Sequence, residues 1–242
     1  MNKMSITTNK SRRLSWLADL LYLVYPDLCL ICGTSLNRDE TSLCHNCLYQ
    51  LPKVHPLSYT ENEAAAHFYG KLPFIKAAAG LRYIKESHVQ YLMEELKYKG
   101  KKEIGRLLAG YVGTTLARNG FFDDIDLLVP VPLHPKRQKQ RGYNQSEWIV
   151  KGLSDISGKP ADLSTLKRVL DNQTQTTRQV YDRWLNVASI FSLEKTGPFE
   201  NKHILLVDDV LTSGSTLEAC GKAVLKAEGA RVSFFTLAMP AI

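Results

Sequence analysis

Two adjacent carboxylates, Asp208 and Asp209, follow an apolar run of Ile204, Leu205, Leu206 and Val207. A turn of small residues comes shortly afterwards: Thr212, Ser213, Gly214, Ser215 and Thr216. The apolar run predicts a buried strand that delivers the acids to the carboxyl edge of a sheet, where open α/β sheets bind ligands. The turn opens directly into helical periodicity. Its backbone amides and hydroxyls, with the partial positive charge of a helix amino terminus, suit a phosphate dianion. A side chain at Gly214 would fill such a cup. The acids seek donors or a hard cation, and a ribose diol or a magnesium ion supplies them. Adjacent strand residues point to opposite faces unless the strand is already bending. A sugar phosphate fits the whole segment. A nucleotide-hydrolysing phosphate loop does not, because no lysine precedes the final Ser215 and Thr216.

A second constellation lies near the amino terminus. Cys29 and Cys32, then Cys44 and Cys47, form two Cys-x-x-Cys knuckles separated by eleven residues. Four thiolates at this spacing can close a tetrahedral zinc site, and with no open position the metal is structural. His45, inside the second knuckle, reads as a bystander, and Gly33 suits the turn after the first. Cys220 stands alone and reads as a small buried apolar residue.

A third feature is basic. After a short apolar strand at Leu127–Val131 comes a loop carrying Lys136, Arg137, Lys139 and Arg141. In a parallel sheet this loop faces the acidic pair, where its cations could stabilise a departing pyrophosphate. The same charges could track a nucleic-acid backbone, with Tyr143 available for stacking. A further cluster, Lys97, Lys99, Lys101, Lys102 and Arg106, sits at a helix end and reads as solvated surface.

The elements that must hold these groups alternate. A strand begins near Phe74 and runs to Tyr83. Helical spacing follows at Val89, Leu92, Met93 and Leu96, stopped by Gly100, and again from Ile104 to Leu116, ended by Asn119 and Gly120. Asn144 or Ser146 caps a helix bearing Trp148, Ile149 and Leu153. A strand over His203–Asp208, a helix over Ser215–Glu228 and a strand over Arg231–Leu237 complete the pattern. Apolar strands joined through helices imply a mostly parallel sheet covered on both faces. The domain boundaries read as 14–56 for an amphipathic helix (Leu14 to Val24) with the cysteine module, and 74–242 for the α/β domain, joined by a connector.

The chain has 242 residues, 44% hydrophobic and 23% charged, values that argue against long disorder. Its net charge of +7 fits anionic partners without excluding a plain enzyme. No stretch is apolar and long enough to imply stable membrane insertion, and Asp19 and Pro26 interrupt the best candidate. A cytoplasmic location is expected, where paired cysteines more often mean metal than disulfide.

The segment from Ile204 to Leu217 resembles the 5-phosphoribosyl-1-pyrophosphate (PRPP) motif of type I phosphoribosyltransferases. That resemblance implies ribose contacts for Asp208 and Asp209 and 5′-phosphate contacts for Thr212, Ser213, Gly214, Ser215 and Thr216. Four further features join it: the cysteine module, Leu96 to Gly100, Val129 to His134, and Arg141 to Gln145. Together they resemble the ComF family, phosphoribosyltransferase-like proteins associated with competence for DNA uptake. The resemblance implies an anion loop that includes Lys136, Arg137, Arg141, Asn144 and Gln145, a PRPP ligand carried with Mg²⁺, and an active-site loop around Thr174–Arg178, Arg183 and Asn186. Two functions stand at this point. One is an enzyme in which Asp208 and Asp209 steady a positively charged ribose carbon. The other is a non-catalytic competence factor that binds single-stranded DNA or uptake-machinery proteins on the same scaffold. No general base or acceptor substrate can be assigned from the sequence.

Overall fold

The computed structural model describes residues 25–168 and 190–241, which fall into two compact units divided between Gln50 and Leu51. The amphipathic helix expected over 14–24 and the loop residues Thr174–Arg178, Arg183 and Asn186 lie outside the described residues. No described helix is long and apolar enough to cross a membrane.

The smaller unit is built around its cysteines. An antiparallel bridge joins Leu28 and Ser35, and a positive φ of 71° at Gly33 turns the chain between them. The single-turn helix α1 (His45–Tyr49) starts at Cys44, whose side chain accepts from the amide of Cys47. Cys29, Leu36, Leu43 and Cys47 are buried.

The larger unit holds a four-stranded parallel sheet. Its strands are β1 (Ala77–Tyr83), β2 (Leu127–Pro130), β5 (His203–Val210) and β6 (Arg231–Pro240), in the order β1-β6-β5-β2. β3 (Leu166–Arg168) and β4 (Phe191–Leu193) form a separate antiparallel pair. Along β5, Ile204 and Leu206 join a core shared with Phe234 of β6 and with Leu217, Cys220 and Val224 of helix α7 (Ser215–Val224). Strand alternation sends the intervening residues to the other face. There, a Cβ on Gly80 of β1 would meet Val112 of helix α4 (Glu103–Arg118) at 2.9 Å. Helix α6 (Gln145–Ser157) packs on α4 and on β2 and β5. Helix α3 (His88–Tyr98) starts at Ser87, whose side chain accepts from the amide of Gln90. The sheet is thus covered on both faces, as the periodicities require.

Several boundaries differ from the sequence reading for local reasons. Residues 51–73 lie in the larger unit: Val54 donates to the carbonyl of Gly80, and Arg82 donates to that of Pro52. Within the stretch read as a connector, Asn62 caps a one-turn helix, α2 (Glu63–Ala66), and the Phe68 ring that follows stacks on Phe234 at 4.0 Å. The basic segment is not wholly a loop. His134 accepts from the amide of Lys136, Pro135 sits in the first turn, and helix α5 (Pro135–Arg141) ends on Gly142 at φ 78°. α7 stops at Val224, four residues early, and β6 runs on to Pro240.

Candidate functional site

The carboxyl ends of all four parallel strands meet at one cleft of about 380 Å³. Tyr83 ends β1, Pro240 ends β6, Asp208 to Val210 end β5, and Val131 to Leu133 follow β2 around its rim. Lys97, Arg137, Arg141 and Arg168 also line it. Among the described residues, four cations thus face two carboxylates, a surplus of positive charge of the kind that suits an anion.

Each acid is held by a different helix. Asp208 Oδ1 accepts from the Ser146 hydroxyl of α6 at 3.1 Å and from the amide of Asp209 at 2.8 Å. Asp209 Oδ2 pairs with Lys97 of α3 at 3.1 Å. β5 remains paired through Val210, yet both acids line the cleft. Burial, then the charge of Asp209, pushes the Asp208 carboxyl up to about 7, against the pull of the Asp209 amide, Ser146 and Lys97. Asp208 is thus a carboxyl able to exchange a proton near neutral pH.

Beyond the acids, Thr212, Ser213, Ser215 and Thr216 are exposed around a buried Gly214. Ser213, Gly214 and Ser215 line a smaller recess that also includes Asp208, Thr212 and Thr216. Gly214 occupies the position before α7 at φ 76°, and no side chain caps that helix. The hydroxyls of Ser213 and Ser215 lie 2.9 Å apart. An uncapped helix start ringed by hydroxyls can receive a phosphate group. The glycine is required for a reason other than the one read from sequence. A Cβ there would meet His67 and Phe68 at 3.3 Å, and the positive φ already favours glycine.

The basic segment divides. Arg137 and Arg141 reach the cleft, whereas Lys136 and Lys139 are exposed on α5 and do not line it. Asn144 and Gln145 line the cleft and also brace it. Buried Asn144 donates to the carbonyl of Val131 at 3.0 Å and accepts from the amide of Ser146, capping α6. Gln145 accepts from Arg141 at 2.7 Å.

Sequence reasoning missed four cleft residues: Tyr83, Lys97, Ser146 and Arg168. The cluster read as solvated surface is largely engaged. Lys97 pairs with Asp209, Lys101 with Glu95, Arg106 with Asp155, and Lys102 lies over the Trp148 ring. Helical register could have separated Lys97 from its neighbours, because it falls four residues after buried Met93 and eight after buried Val89, on the packed face. Nothing local marks Ser146 or Arg168. Burial, then the nearby charge of Arg137, lowers the pKa of the Arg168 guanidinium from its ordinary value.

In the smaller unit the four thiol sulfurs of Cys29, Cys32, Cys44 and Cys47 all lie within 4.8 Å of one another. The sulfurs of Cys32 and Cys44 are 3.7 Å apart. Four sulfurs about 2.3 Å from one tetrahedral ion would be about 3.8 Å apart, so the group fits a metal ion. Backbone amides point at the sulfurs, Cys44 to Cys29 and Cys47 to Cys44. The Thr34 hydroxyl and amide draw the Cys32 thiol down to about 6. His45 instead lies near Asp39 and Glu40, at 3.6 and 3.5 Å.

Comparison with known proteins agrees with this architecture. Residues 121–241, half of the chain, match the family described as the phosphoribosyl transferase domain. A DNA utilization protein, YhgH, of Salmonella typhimurium is 28% identical over 93% of this chain and 96% of its own length. Competence protein F of Haemophilus influenzae is 29% identical, over 82% and 90% respectively. Competence protein ComFC of Bacillus subtilis is 26% identical, over 87% and 94%. Among solved structures, an allosteric regulatory enzyme of purine biosynthesis matches at 18% identity and TM-score 0.42, over 59% of this chain and 29% of its own. The chain thus spans under a third of that enzyme. With its parallel sheet, its site at the strand ends and its four-cysteine unit, the chain belongs to the phosphoribosyl transferase domain family and, within it, to the ComF family.

Proposed function

We propose that the cleft binds PRPP or a closely related ribose 5-phosphate, presented as its Mg²⁺ complex. One observation carries this reading: the acidic pair, the hydroxylated helix start and the cations Arg137, Arg141 and Arg168 share the carboxyl edge of one sheet. The 5′-phosphate would rest on the turn from Thr212 to Thr216, and the ribose hydroxyls would donate to Asp208 and Asp209. The pyrophosphate end would meet Arg137 and Arg141, with Lys136 at the outer margin and Asn144 and Gln145 holding the segment. For a reaction at the ribose C1, these residues supply charge at both ends. The carboxylates steady a positive ribose carbon, and the guanidinium groups take up negative charge on the departing pyrophosphate. The acceptor that completes such a transfer is not assigned. We further infer that the four cysteines hold a structural zinc ion. The names of the relatives support a role linked to DNA uptake, and we propose a cytoplasmic location for it.

Calorimetric titration of Mg²⁺-PRPP into the protein and into the Asp208→Asn/Asp209→Asn variant tests the reading. Wild type should bind, and the double variant should lose at least about tenfold, since each lost charge-assisted hydrogen bond is worth about 1.5–3 kcal/mol. Absence of binding by folded wild type would remove the ribose-phosphate reading.

A second reading rests on α5. No residue of this helix is buried, and Lys136 and Lys139 stand clear of the cleft. Such a surface suits single-stranded DNA or an acidic uptake partner. Oligonucleotide binding that weakens steeply with salt, and weakens further in a Lys136→Ala/Lys139→Ala variant, would favour it.

A further inference from the structure

Lys97 is an unusual member of the cleft. It comes from a helix that contributes none of the sheet's carboxyl-edge residues, yet its ammonium group lies 3.1 Å from Asp209 Oδ2. Both side chains are largely withdrawn from solvent, at 20% and 16% exposure. An exposed lysine pair would be worth little, because entropy and water cancel most of its attraction. This one is held from both sides. The carbonyl of the preceding residue, Leu96, accepts from the Tyr143 hydroxyl, and the ring of the following residue, Tyr98, lies 5.1 Å from the Arg141 guanidinium. The end of α3 is thereby fastened to the segment that carries the anion-facing arginines. Lys97 has little freedom to leave, and it offers Asp209 a fixed counter-charge.

We propose that Lys97 is the positioning residue of Asp209: its ammonium group keeps that carboxylate turned into the cleft, in the orientation in which a ribose hydroxyl can donate to it. The proposal rests on the ribose-phosphate reading. Its consequence is that Lys97 acts through Asp209, not through the fold at large and not as one more contact to phosphate. Asp208 has its own holder, Ser146 at 3.1 Å, so the two acids are oriented independently by α3 and α6. The Lys97 charge also opposes the mutual repulsion of the adjacent acids.

A double-mutant cycle tests it, with Mg²⁺-PRPP affinity measured by calorimetry on the full chain for wild type, Lys97→Met, Asp209→Asn and the combination. Lys97→Met should weaken binding by about tenfold, less than the loss seen when one partner of a fully desolvated charged pair is truncated, because both side chains keep some exposure. Lys97→Arg should recover binding to within about threefold of wild type, since arginine keeps the charge and donors. The combined variant should bind no more weakly than Asp209→Asn alone, because the lysine has nothing left to orient. Lys97→Gln, which keeps the stem and a donor, replaces Lys97→Met if the latter does not fold. Wild-type binding that Lys97→Met leaves within twofold, or losses that multiply in the combined variant, would overturn this inference alone. No binding by wild type would overturn it together with the ribose-phosphate reading.

Discussion

Asp208 carries the sharpest conflict between stability and function in the molecule. Its carboxyl is raised from 3.8 to about 7 by burial and by Asp209. The folded state therefore binds a proton more tightly than the unfolded chain. The group costs little below pH 4, costs progressively more as pH rises toward 7, and costs most above it. Asp208→Asn should accordingly raise the thermal midpoint at pH 8, by the equivalent of about 1–3 kcal/mol, while weakening Mg²⁺-PRPP binding. At pH 4 the stabilisation should vanish. A variant destabilised at pH 8 would mean that the carboxylate is needed for the fold itself. This residue and its neighbours were legible in the sequence because an apolar strand, two acids and a hydroxylated turn stand in one continuous stretch. Lys97, Ser146 and Arg168 were not, since each reaches the cleft from another element and only the assembled fold brings them together. Gly214 shows a subtler limit: its need for glycine was legible, but the contact with His67 and Phe68 that enforces it was not.

At the scale of elements, the sheet is clamped at its amino edge by a buried polar cluster and against its helices by glycines. His203 is fully buried, with Nε2 2.7 Å from the Ser233 hydroxyl and Nδ1 2.8 Å from the carbonyl of Asp124. The Asp124 carboxylate lies 3.3 Å from the same ring and also pairs with Lys76. Burial holds the histidine below its ordinary value of 6.5, and the nearby Lys76 and Arg231 reinforce this while Asp124 opposes it. The unfolded chain therefore takes up more protons near pH 6. The His203 contribution is full above about pH 6.5 and falls as pH drops through that window, against the opposite drift from Asp208. The difference in urea midpoint between wild type and a His203→Gln variant, in which the Asp208 drift cancels, should therefore shift against wild type as pH falls from 7.5 to 5. Across the sheet, α6 approaches α4 at Gly152, where a Cβ would lie 2.3 Å from the carbonyl oxygen of Arg106 and 2.9 Å from the Ala109 Cβ. Gly152→Ala should destabilise by about 1–3 kcal/mol in chemical denaturation, although alanine is the better helix former. An unchanged midpoint would show that the two helices can separate at little cost. The strands of the parallel sheet and the helices that cover it were legible from periodicity, whereas the short β3–β4 pair and α2 were not. His134, Pro135 and Gly142 make a helix of a segment whose composition reads as loop.

At the scale of the whole molecule, two units of different physical character share one chain. The larger unit has a continuous apolar core under its sheet. Among its described residues the smaller has four buried apolar or cysteine positions, and its four sulfurs gather to within 4.8 Å of one another. A unit this small would depend on the metal cross-link proposed for its cysteines. The purified protein should therefore release about one equivalent of zinc to a chelator after thiol modification. Hydrogen exchange over residues 28–49 should then accelerate strongly, while β5 and β6 keep their protection. Exchange that accelerates equally in both units would argue against independent stabilisation. The two-knuckle spacing made this unit legible. The boundary between Gln50 and Leu51 was not, because the prolines that suggest a later break, Pro52 and Pro56, belong to a stretch that pairs with β1.

The most direct test of the central claim is a crystal structure of the protein with Mg²⁺-PRPP. Density should show the 5-phosphate on the amides and hydroxyls of residues 212–216, the ribose hydroxyls on Asp208 and Asp209, and the pyrophosphate toward Arg137 and Arg141. A ligand bound away from the strand ends, or a cleft left empty at saturating ligand while α5 carries the bound anion, would contradict the account.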